Sequence, residues 1–198
     1  LGAEYVANKI LPVADEELLL EISGACKDIS KEKLCKSMER EYAKTPSLQL
    51  QAHLITYGSG IAIGDYVKKV TNDKKPPEGN GVHIDGPTAA ISSIRNPDFL
   101  PELEALLTTT FDSEFEDSTW HGLRNSLTKA FVNCGTVAYE KTIDAILRCR
   151  PSADVHEENY QYCNYTIEEI KYARKSSFDM PKTLLETKEF LGEVRKYY

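Results

Sequence analysis

Apolar residues recur three and four positions apart along almost all of this 198-residue chain, and that spacing admits few architectures. Such residues stack on one side of an α-helix, whereas a half-buried strand needs alternation of two. Leu18, Leu19, Ile22, Cys26 and Ile29 mark a first helix beginning near Asp15, with Glu16, Glu17 and Glu21 near its positive end. Ser30 reads as the N-cap of a second, carrying Leu34, Met38 and Tyr42. Thr45 and Pro46 read as N-cap and first-turn proline of a third. It carries Leu48, Leu50, Ala52, Leu54, Ile55 and Tyr57 and stops at Gly58. After Gly58-Ser59-Gly60 a fourth helix is expected from Ile61 to Val70 through Ile63, Tyr66 and Val67.

Residues 72–86, NDKKPPEGNGVHIDG, hold two Pro and three Gly and predict the one long loop. Helical spacing resumes at Gly86-Pro87 with Ala89, Ala90, Ile91 and Ile94, and Asn96-Pro97 breaks it. Leu100, Leu103, Leu106 and Leu107 follow, with Pro101 in the first turn, where a missing N–H costs little. The acidic stretch Asp112 to Asp117 leads into a helix from Ser118 to Asn133 through Trp120, Leu123, Leu127, Ala130, Phe131 and Cys134. Gly135 ends it and Thr136 caps the next, which carries Val137, Tyr139, Ile143, Ile146 and Leu147. A tyrosine-rich stretch after Pro151 precedes helices near Thr166–Lys175 and Pro181–Tyr197.

These helices come in pairs. The first helices of three successive pairs start near Ser47, Pro87 and Ser118, 40 and 31 residues apart. Tandem hairpins near this period stack because each buries its apolar face only against its neighbours. The expected fold is all-α, with stacked helical hairpins forming an α-solenoid. An irregular globular helical domain is the alternative. Residues 1–198 form a single domain on this reading: N-terminal helices in 1–44, hairpins in 45–150 and C-terminal helices in 151–198. The start at Leu1 rather than Met reads as a processed chain or part of a longer protein.

Three segments carry a family resemblance: QAHLITYGSGIAIGDYVKKV, TAAISSIRNPDFLPELEALL and WHGLRNSLTKAFVNCGTVAYEKTIDAIL. Each resembles a HEAT or armadillo-type hairpin. The chain also resembles the helical repeat regions that follow the ATPase module in large bacterial signalling NTPases. It has no G-x-x-x-x-G-K-[ST] phosphate loop, so it matches only the repeat portion. The resemblance implies recognition of other macromolecules and supplies no catalytic residues.

Charge and cysteines narrow the partners. Lys and Arg number 24 against 31 Asp and Glu, a net charge of −7, which argues against binding duplex DNA. No apolar run approaches the roughly 18 residues of a membrane helix. Cys26, Cys35, Cys134, Cys149 and Cys163 are odd in number, widely spaced and free of C-x-x-C. They read as reduced core thiols in the cytoplasm rather than a disulfide framework or zinc site.

Several patterns invite a chemical reading. Gly58-Ser59-Gly60-Ile61-Ala62-Ile63-Gly64, with Asp85 further on, imitates a dinucleotide fingerprint, but no strand pattern precedes it and a helix-joining turn is expected. His53, His83, His121 and His156 lack the three- or four-residue spacing of a helical metal pair. His53 is expected to be hydrogen-bonded and partly buried, and His83 beside Asp85 is the alternative enzymatic site. Asp112, Glu114, Glu116 and Asp117 alternate like calcium ligands, yet the sixth and twelfth positions are Asp117 and Leu123 instead of Gly and Glu. No metal, cofactor or small-molecule ligand is expected.

Two clusters remain as candidate partner-binding residues: Lys68, Lys69, Lys74 and Lys75, and Tyr160, Tyr162 and Arg174. Tyr and Arg are enriched at interface hot spots, and lysines suit an acidic partner. The expected function is a non-catalytic protein-binding scaffold or sensor surface. The alternatives are an enzyme near His83 and Asp85, or a nucleotide-binding module around Gly58–Gly64.

Overall fold

The computed structural model describes residues 2–74, 86–112 and 117–134, and every regular element among them is helical. Helix α1, Ala3–Tyr5, runs into a π turn at Val6–Ile10. Helices α2 (Glu16–Ala25), α3 (Lys31–Lys44), α4 (Leu48–Thr56) and α5 (Gly60–Asp73) follow. Next among the described residues come α6 (Pro87–Ala90), which tightens into a 3₁₀ turn at Ile91–Ser93, then a 3₁₀ turn at Pro97–Phe99. Helices α7 (Leu100–Asp112) and α8 (Asp117–Asn133) complete the described chain.

Short-range chemistry sets these boundaries. Asp15 Oδ1 accepts the Leu18 N–H at the start of α2, beside Glu16 and Glu17. Ser30 stands at the N-cap of α3, although its side chain makes no capping bond. The expected Thr45–Pro46 cap is corrected: Thr45 closes α3, and Ser47 caps α4 by accepting the Leu50 N–H at 3.0 Å. Proline drives the residue before it out of the helical region, so Thr45 ends one helix and Pro46 bridges to the next. At the far end of α4, Gly58 takes φ +80, and Ser59 N–H and Gly58 N–H bond back to Leu54 O and Ile55 O. This paired closure needs a left-handed residue, which glycine adopts without a Cβ clash. Gly86 and Pro87 open α6, and Asn96 Oδ1 accepts the Asp98 N–H to open the turn before α7.

Helix α4 occupies the middle of the packing. It contacts α2, α3, α5, and α6 with its 3₁₀ continuation. Helix α5 packs on α7, α7 on α8, and α8 back on α6 and Ile91–Ser93. Counting α6 with its continuation as one segment, every extensive pairing between these helices joins neighbours one or two steps apart. One contiguous core results, including Leu19 and Ile22 of α2, Met38 of α3, Leu50, Leu54 and Ile55 of α4, and Tyr66 of α5. Leu103, Trp120, Leu123 and Leu127 continue it through α7 and α8.

Leu18 and Leu48, expected among the apolar positions of their helices, are instead exposed, as is Ile61 at the start of α5, at 57%. Among the cysteines, Cys134 is buried, Cys26 and Cys35 are half-buried, and all three are free thiols. Cys149 and Cys163 lie outside the described residues. No helix among the described residues is long and apolar enough to cross a membrane.

Candidate interaction surface

Helix α5 carries the described part of the lysine cluster, and three hydrogen bonds to other helices hold it in place. Ser59 Oγ accepts the Ala62 N–H and donates to Glu39 Oε1 of α3 at 2.6 Å. Gln51 Nε2 of α4 donates to Ala62 O inside the hairpin at 3.2 Å. The Tyr66 hydroxyl meets Thr88 Oγ1 of α6 at 2.7 Å. A Cβ placed on Gly60 would lie 3.8 Å from the ring of Phe99. The helix therefore buries Ala62, Ile63, Tyr66 and Val70. At 100° per residue, the opposite side consists of Ile61, Gly64, Asp65, Lys68 and Asn72, all exposed, with exposed Lys69 at its edge.

Lys68 and Lys69 thus share one solvent-facing surface, and neither makes an ion pair among the described residues. Lys74 sits beyond them at the left-handed C-cap, φ 50. Lys75, Tyr160, Tyr162 and Arg174 lie outside the described residues, as do His83, Asp85 and His156. Ile61, expected only as the start of this helix, faces outward. The signal was available: Ile61 and Ile63 are two apart, which on a helix puts them on different sides.

Other polar groupings are joints between helices. Ser23 Oγ donates to Leu20 O at 2.8 Å and lies 3.4 Å from His53 Nδ1, linking α2 to α4. With the serine proton committed to a backbone carbonyl, this pair is not arranged as nucleophile and base. Burial lowers the His53 pKa below its usual value. Cys35 Sγ approaches Glu39 Oε1 at 3.9 Å, and burial, then the Glu39 charge and hydrogen bond, push its thiol up to about 11. Burial likewise raises Cys134. Thiols held this way are poor nucleophiles near neutral pH.

Arg40 donates to Leu11 O at 3.0 Å and Ala14 O at 3.2 Å, catching the carbonyls that follow the N-terminal π turn. Arg124, 2% exposed, donates from Nε to Thr110 Oγ1 at 3.1 Å and through a second nitrogen to Thr110 O at 2.6 Å. Gly58-Ser59-Gly60 joins helix α4 to helix α5, so the segment lacks the preceding strand of a dinucleotide fingerprint. No group of three or more His, Cys, Asp or Glu among the described residues could hold a metal ion.

Comparison with family models, curated proteins and solved structures gives no match. The α5 surface stands on its own physical description: a firmly held helix with an apolar, a bare and a cationic segment along one exposed side.

Proposed function

We propose that this chain is a protein-binding scaffold or sensor surface built of stacked, HEAT- or armadillo-like helical hairpins. The packing supports this reading: each helix rests mainly on the next and the next but one, the pattern of hairpins added one by one. Such an arrangement spends its apolar residues between neighbours and leaves long helix sides to solvent. The exposed lysines of α5 are the part of that surface best suited to an acidic partner.

The experiment is affinity capture with the full chain, repeated with Lys68, Lys69, Lys74 and Lys75 all changed to Glu. A partner retained by the first chain and lost by the second is the expected result. Failure to retain any partner overturns the scaffold reading. Small-angle scattering tests the stacked arrangement, because a compact domain of this length has a radius of gyration of roughly 16 Å. A clearly larger value is expected; a compact value overturns the solenoid.

A further inference from the structure

We draw no further inference here: the strongest candidate, the outward side of α2 with exposed Glu17, Leu18 and Glu21 on a helix that carries no cation, is an acidic and unpartnered helix face, and nothing among the described residues shows what covers it.

Discussion

The hydroxyl of Ser59 donates to Glu39 Oε1 across 2.6 Å, joining the first turn of α5 to the middle of α3, 20 residues earlier. The same oxygen accepts the Ala62 N–H, so one buried serine both starts a helix and fixes its position on a neighbour. Ser59→Ala removes the cap and leaves the Glu39 carboxylate short of a donor. Expected destabilisation is about 1–2 kcal/mol by urea denaturation. Glu39→Gln, whose amide oxygen still accepts, should cost clearly less. Equal losses for the two variants would contradict this account.

Leu54 and Leu48 lie on the same helix and face opposite fates. Leu54 is fully buried in the middle of the packing, whereas Leu48 is 43% exposed. Leu54→Ala should lose about 2–5 kcal/mol in chemical denaturation, and Leu48→Ala about 0.5 kcal/mol or less. A large loss at Leu48 would show that its side is covered in solution.

Gly58 is the one described glycine with positive φ. Gly58→Ala forces a Cβ into the left-handed region at a cost of about 1–2 kcal/mol. Thermal unfolding of this variant beside Gly64→Ala should shift in opposite directions. The first glycine serves the turn and the second serves nothing within the described chain.

His53 predicts a pH dependence. Burial depresses its folded pKa below the ordinary 6.5, so between the two values the unfolded chain binds more protons than the folded one. Stability should therefore fall as pH drops below about 6.5. Melting temperatures from pH 7.5 to 5 measure it, and His53→Gln should show a shallower decline than the unaltered chain. Parallel curves would remove His53 as the cause.

Cys35 should resist alkylation. A thiol held at about 11 rather than 9.0 carries roughly a hundredth of the thiolate at pH 8. Iodoacetamide labelling followed by mass spectrometry should find Cys35 slow in the folded chain and fast in denaturant. Rapid labelling without denaturant would show that the α3–Glu39 contact opens readily.

Much of the helix map was legible residue by residue. Asp15, Gly58, Gly86-Pro87 and Asn96 act through bonds to residues within a few positions, so their roles follow from local sequence. Thr45 misled because two local rules compete there: a threonine can cap a helix, but the proline after it favours an end. The π turn at Val6–Ile10 had no spacing signal, and its tether, Arg40, comes from 26 to 29 residues along the chain. On α5, periodicity indicated Ile63 and Tyr66 as inward. Only the packing showed that Ile61, Gly64 and Lys68 together form an uncovered side.

From Asp15 onward, the sequence by itself determined that the described elements are helical and, within a residue or two, where most begin. Those choices rest on hydrogen bonds and steric limits spanning a single turn. Tertiary structure alone decided which helix rests on which, that Arg124 is buried against Thr110, and which side of α5 stays open. Burial and long-range hydrogen bonding depend on groups distant in the chain converging in space, and no spacing rule encodes that convergence.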